Sequence, residues 1–124
     1  MSKTILVVED QEDNRQILRD LLASAGFQMI EAHDGEQALI MARSQRPDLI
    51  LMDIQLPLID GYEATRSLKR DPELRRIPVI AVTSYALSGD EERAREAGCD
   101  AYVAKPFSTR NLLATIERFL EQPS

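Results

Sequence analysis

Apolar runs and amphipathic stretches alternate five times along this chain, and four of the runs stop at reactive side chains. Ile5-Leu6-Val7-Val8 leads into Glu9-Asp10, and Leu49-Ile50-Leu51-Met52 into Asp53. Val79-Ile80-Ala81-Val82 leads into Thr83-Ser84, and Ala101-Tyr102-Val103-Ala104 into Lys105-Pro106. The pattern predicts strands near 4–9, 28–32, 49–53, 78–83 and 100–104. Helices are predicted near 13–25, 35–45, 60–70, 88–97 and 108–121. Strands that alternate with helical periodicity imply βα units and a parallel sheet. The first, third and fourth runs are apolar almost throughout, as strands covered on both faces should be. The second, Gln28-Met29-Ile30-Glu31-Ala32, is mixed and reads as an edge strand.

The punctuation agrees with this division. Gly26 and Gly98 fall where the first and fourth helices should end, suited to a left-handed C′ conformation. Ser88 and Ser108 can cap the fourth and fifth helices, and Pro47, Pro72, Pro78 and Pro106 fall between elements. The fifth helix carries Leu112, Leu113, Ile116, Phe119 and Leu120 on one arc, a strong anchoring face. Between Gly89 and Gly98 the fourth offers only Ala94 and Ala97, so it is expected to be the least firmly held. In the first helix, Ile17, Leu18, Leu21, Leu22 and Ala25 span about 140° at a step of ~100° per residue. That arc is either a broad core face or a core face with one exposed edge, assigned to Leu18 and Leu22.

Composition narrows the class. With 124 residues, 44% hydrophobic and 29% charged, the chain suits one soluble domain spanning 1–124 with no output domain. No apolar stretch approaches the ~20 residues that cross a bilayer, and the first residues show no signal-peptide pattern. A net charge of -6 argues against a nucleic-acid partner, which needs a basic face. Cys99 is the sole cysteine, so no internal disulfide can form, and a cytoplasmic setting fits. It reads as a partly buried small residue. His33 reads as a solvated loop residue, and Lys69-Arg70 with Arg75-Arg76 as a solvated loop.

The carboxyl ends of neighbouring strands in an open parallel sheet form a ligand crevice. Three carboxylates, a hydroxyl and an ammonium would then share one edge. A lone Asp after a strand is commonly a turn former. Convergence with three other strand ends lifts Asp53 above that. Crowded carboxylates oppose one another's ionisation unless a positive charge compensates. Mg²⁺ accepts a few carboxylates, a carbonyl and waters. Asp10 and Asp53 are expected as direct ligands, with Glu9 acting through a water and Gln55 through its backbone carbonyl. Asp53 can attack phosphorus to give an aspartyl phosphate, and Lys105 can offset charge on the transferring group. Thr83 can donate its hydroxyl to a phosphate oxygen. Asn14, one helical turn past Asp10, is placed to face the site.

Val8-Glu9-Asp10, Leu51-Met52-Asp53-Ile54-Gln55-Leu56-Pro57 with Asp60-Gly61, Val82-Thr83-Ser84 and Lys105-Pro106-Phe107 resemble the signature blocks of response-regulator receiver domains. The likeness spans essentially the whole chain and is nearest to stand-alone receivers and the receivers of hybrid kinases. It implies a flavodoxin-like, doubly wound (βα)5 α/β sandwich with strand order 2-1-3-4-5. It also implies a cytoplasmic bacterial signalling protein rather than an enzyme. Asp53 would accept phosphate from a histidine kinase or histidine phosphotransfer protein, with Mg²⁺, or Mn²⁺ in its place, held by Glu9 and Asp10. Thr83 would swing to the phosphate, Lys105 would pair with it, and Tyr102 would turn inward. Pro106 matches a cis proline that places Lys105. Ser84 and Tyr85 would flank the phosphate, and the first helix, through Leu18 and Leu22, would dock the kinase. The signal would pass to a downstream regulatory protein or kinase, with no membrane partner. The chain would act as a monomer or a phosphorylation-dependent homodimer.

Two rival classes fit less well. Haloacid-dehalogenase-type phosphatases carry a second Asp two residues past the nucleophile, where this chain has Gln55. Flavodoxin-like flavin carriers want a hydroxyl- and glycine-rich loop after the first strand, where this chain has Glu9-Asp10.

Overall fold

In the computed structural model of this chain, residues 3–54, 56, 60–83, 90–105 and 107–121 are described. Five strands and five helices alternate through them. β1 (Thr4–Val8) is followed by α1 (Glu12–Ser24), β2 (Gln28–Ala32), α2 (Gly35–Gln45) and β3 (Leu49–Asp53). Then come α3 (Gly61–Arg70), β4 (Val79–Thr83), α4 (Asp90–Ala97), β5 (Ala101–Ala104) and α5 (Thr109–Glu121). The sheet is parallel throughout, in the order β2-β1-β3-β4-β5, so the mixed β2 lies at an edge as its composition indicates. All five residues of β3 and of β4 are buried, which explains their unbroken apolar character.

Strand side chains alternate between two helical layers. Ile5, Val7, Leu49, Leu51, Ile80 and Val82 pack with Leu18 and Leu22 of α1 and Leu112 and Ile116 of α5. Leu6, Val8, Ile50, Met52, Val79 and Ala81 pack under α2, α3 and α4. The helix ends follow local chemistry. Asp34 and Asp60 accept hydrogen bonds from Gln37 N–H (2.8 Å) and Glu63 N–H (2.9 Å), capping α2 and α3. Ser108 accepts from Asn111 N–H at 3.3 Å as expected for α5. The expected cap Ser88 lies outside the described residues. Gly26 and Gly98, at φ of 88° and 106°, take the left-handed conformations that end α1 and α4.

Two expectations need correction. Leu18 and Leu22 are not an exposed edge: they are 6% and 0% exposed, four residues apart on the line where α1 meets the sheet and α5. The outward edge of the arc is one position back, at Ile17, which is 54% exposed. Lys69 is no solvated loop residue either. Its ammonium donates to the carbonyls of Arg75 (3.1 Å) and Ile77 (2.9 Å) and to Asp100 Oδ2 (2.9 Å). The same Asp100 oxygen accepts from Val79 N–H at 2.8 Å, so Lys69 ties the end of α3 to the starts of β4 and β5. The Lys69 stem also fills the space beside Gly98, where an added Cβ would lie 2.7 Å from Lys69 Cγ.

Only Ala94 and Ala97 anchor α4 among its residues with a described side chain, and Arg93 spans to α3 with its guanidinium 4.8 Å from the Tyr62 ring centre. Native-state amide exchange should therefore be faster in α4 than in α5. Slower exchange in α4 would contradict this packing argument. Replacing Lys69 with Met removes the ammonium from two carbonyls and leaves Asp100 Oδ2 with the Val79 N–H alone. Chemical denaturation should show a loss of about 1–3 kcal/mol, and an unchanged midpoint would show that the tie carries no stability.

Candidate functional site

Strand register brings the reactive side chains together. Val8 pairs with Met52, so Glu9 continues beside Asp53. Asp53 pairs with Val82 and Thr83 with Ala104, so Thr83 and Lys105 extend the same edge. Lys105 N–H donates to Thr83 C=O at 2.7 Å and Ile54 N–H to Val82 C=O at 3.2 Å, holding the strand tips in line. Alternation then sorts the tips by face. Glu9, Asp53 and Lys105 share parity with the residues covered by α1 and α5, and all three line a cleft of about 510 Å³ on that side. Thr83 and Tyr102 share parity with the layer beneath α3 and α4.

The charges are closely confined. Glu9 is 2% and Asp53 6% exposed. One carboxylate oxygen from each of Glu9, Asp10 and Asp53 lies within 4.8 Å of the others. Lys105 Nζ stands 2.9 Å from Glu9 Oε1 and 3.9 Å from Asp53 Oδ2. Burial pushes the Glu9 carboxyl up, but a hydrogen bond shared with the Asp53 carboxyl, the Lys105 ammonium and the Gln11 N–H together hold it below the ordinary carboxylate range. The Gln11 N–H reaches Glu9 Oε2 at 3.2 Å. Carboxyls this close share a proton or a cation.

The donor set suits the cation. Hard oxygens, two of them nearly buried, with Asp10 part-exposed beside open solvent, match the few-carboxylate, partly hydrated sites of Mg²⁺. Among the described residues, the Lys105 ammonium beside three acidic groups leaves negative charge that a divalent ion would offset.

Backbone close to Asp53 is equally constrained. Gly61 donates its N–H to Ile54 C=O at 3.0 Å, and a Cβ there would fall 2.4 Å from Asp53 C=O. The first turn of α3 thus seats directly on the end of β3, and only glycine permits the approach.

Glu9, Asp10, Asp53 and Lys105 converge as their sequence positions indicate, and Thr83 ends the next strand, 2% exposed. Asn14 lines the cleft with Glu9 and Asp53. Tyr102 lies half-buried on β5, against the layer beneath α3 and α4. Gln55, Ser84, Tyr85 and Pro106 lie outside the described residues. Leu18 and Leu22 are buried beneath α1, and Ile17 is the exposed apolar side chain at the cleft. His33 is exposed, and Cys99 is buried with its thiol pushed up by burial. Arg15 escaped sequence reasoning. It is 7% exposed and donates from Nη1 to Glu9 C=O at 2.8 Å. Its signal was visible: Arg15, Leu18 and Leu22, spaced i, i+3 and i+7, form one stripe, so the charge sits where a core residue is due.

Known proteins share this arrangement. Residues 5–117 match the response regulator receiver domain family. The polar-differentiation response regulator DivK of Brucella anthropi is 52% identical over 120 residues, covering 97% of this chain and 98% of that protein. The receiver domain of a sensor histidine kinase from Pseudomonas aeruginosa is 40% identical with a TM-score of 0.91, covering 98% of this chain and all of that one. That structure holds a magnesium ion coordinated in its active-site cleft. A response regulator structure from Chloroflexus aurantiacus is 29% identical with a TM-score of 0.94, over 98% of this chain and all of that one. Strand order, acidic cleft and overall likeness thus agree, and this chain belongs to the response-regulator receiver domain family.

Proposed function

We propose that this receiver takes a phosphoryl group on Asp53 from the phosphohistidine of a sensor kinase or phosphotransfer protein. The observation that carries this is the pairing of Lys105 with both Glu9 and Asp53 beside the Asp10 carboxylate. Asp53 is acidic, nearly buried and held by the end of β3, so it meets a donor in one orientation. An Asp53 oxygen bonds to phosphorus as the P–N bond breaks, and that electron pair returns to the imidazole. No general base is required of the protein, because the nucleophile reacts as the carboxylate. Lys105 stabilises charge on the transferring oxygens. Glu9, Asp10 and Asp53 would hold Mg²⁺, which supplies the further positive charge that phosphoryl transfer needs.

The phosphorylated form then differs from the free form at Thr83, whose hydroxyl reaches the phosphate from the α3/α4 side of the sheet edge. Tyr102 follows on β5. The lightly anchored α4 and the α4–β5–α5 face change their affinity for a partner protein, which is a population shift set by differential contacts. The partner is a downstream regulator or kinase. A net charge of -6 favours protein over nucleic acid. In the described residues no helix is long and apolar enough to cross a membrane.

Intact mass after incubation with acetyl phosphate and Mg²⁺ should rise by one phosphoryl group. Removing Mg²⁺ or replacing Asp53 with Asn should abolish the gain, and a gain that survives Asp53→Asn would reject this acceptor. Thr83→Ala should still be phosphorylated yet lose the difference in partner capture between the two forms. Retention of that difference would remove Thr83 from the switch.

A further inference from the structure

We infer that Arg15 is a positioning residue for the metal-binding carboxylates, acting by fixing the peptide between Glu9 and Asp10. The inference rests on the Mg²⁺ site proposed above.

A leucine at position 15 would continue the buried stripe of α1. The chain instead buries a guanidinium there, which is costly unless its donors are met. Nη1 donates to Glu9 C=O at 2.8 Å and Nη2 to Glu12 at 2.6 Å. Nε lies 3.2 Å from Glu31 Oε1 without the alignment of a hydrogen bond. The geometry therefore favours Nη1 and Nη2 over Nε. An arginine fork holds two acceptors in a fixed relation, which a single ammonium does not.

The peptide so held is the one that matters for the site. Glu9 N–H is fixed on its other side by Ala32 C=O of β2 at 3.0 Å, and the Glu9 carboxylate by Lys105 and Gln11 N–H. Asp10 has a weaker tether, an exposed contact from Gln11 Nε2 at 3.3 Å. Its direction is consequently set by the backbone plane before it, whose carbonyl Arg15 grips. Turning that plane would swing Asp10 away from Glu9 and Asp53. Groups behind the ligands commonly control metal affinity in this way. Glu12, Arg19 and Glu31 complete the network around Arg15, with Arg19 Nη2 2.7 Å from Glu31 Oε1. They act as a staple between α1 and β2 and do not touch the Glu9 carbonyl.

The test is calorimetric titration of MgCl₂ into the metal-free full chain, with ¹⁵N spectra of the same samples. Arg15→Met should weaken Mg²⁺ binding about tenfold and displace the Asp10 amide resonance before any metal is added. Arg15→Lys keeps the charge but loses the fork, and should also bind more weakly. Arg19→Gln removes the contacts to Glu12 and Glu31 that complete the staple and should leave the Mg²⁺ affinity unchanged. Wild-type affinity in Arg15→Lys, or a lowered melting point with unchanged affinity in Arg15→Met, would overturn the inference. If Arg15→Met does not fold, Arg15→Lys decides alone. Failure of the wild-type chain to bind Mg²⁺ would instead sink the metal site itself, a result distinct from equal binding by all variants.

Discussion

Mutual repulsion among Glu9, Asp10 and Asp53 is the constraint around which this molecule is arranged. Three acidic groups within 4.8 Å oppose folding at neutral pH unless positive charge answers them. Lys105 supplies one charge from just beyond the last strand of the sheet, ninety-six residues from the Glu9 it pairs with. Among the described residues, one ammonium against three carboxyls leaves the site undercompensated. That deficit is what a divalent cation held by the three carboxylates would offset. The fold keeps the deficit tolerable by leaving Asp10 part-exposed while burying Glu9 and Asp53.

Parallel strands are what make such crowding reachable. An antiparallel sheet would scatter alternate strand ends to opposite edges, whereas the βα repeat returns every strand in the same direction. Register adds the finer placement. Val8 opposite Met52, Asp53 opposite Val82 and Thr83 opposite Ala104 stagger the tips by single residues. The Gly61 approach to Asp53 C=O shows how little slack remains there, since even one methyl group would collide with the strand end.

Most of this was legible because it depends on local patterns. Apolar runs of four residues marked four of the strands, Gly26 and Gly98 marked helix ends, and Glu9, Asp53, Thr83 and Lys105 stand directly after those runs. The errors share another cause. Whether Leu18 or Ile17 faces the core depends on how α1 is rotated against the sheet and α5, a tertiary fact that a wide apolar arc leaves open. Lys69 and Arg15 are long side chains whose apolar stems lie against packed surface while their heads reach carbonyls. Composition counts them as surface charge. Only the break Arg15 makes in an otherwise apolar stripe gave a hint, and Lys69 gave none.

The residues at this sheet edge are divided between two faces. Glu9, Asp53 and Lys105 open toward α1 and α5, and Ile17 is an exposed apolar side chain beside the cleft. Thr83 and Tyr102 belong to the opposite layer, next to α3 and α4. Asp53 and Thr83, on neighbouring strands, thus present their side chains to opposite faces of one sheet edge. On the far side, the described side chains that anchor α4 are Ala94, Ala97 and Arg93 over the Tyr62 ring, whereas α5 is anchored by Leu112 and Ile116. Weak anchoring leaves few described buried contacts to oppose a displacement of α4, so this helix opens at a lower cost than α5.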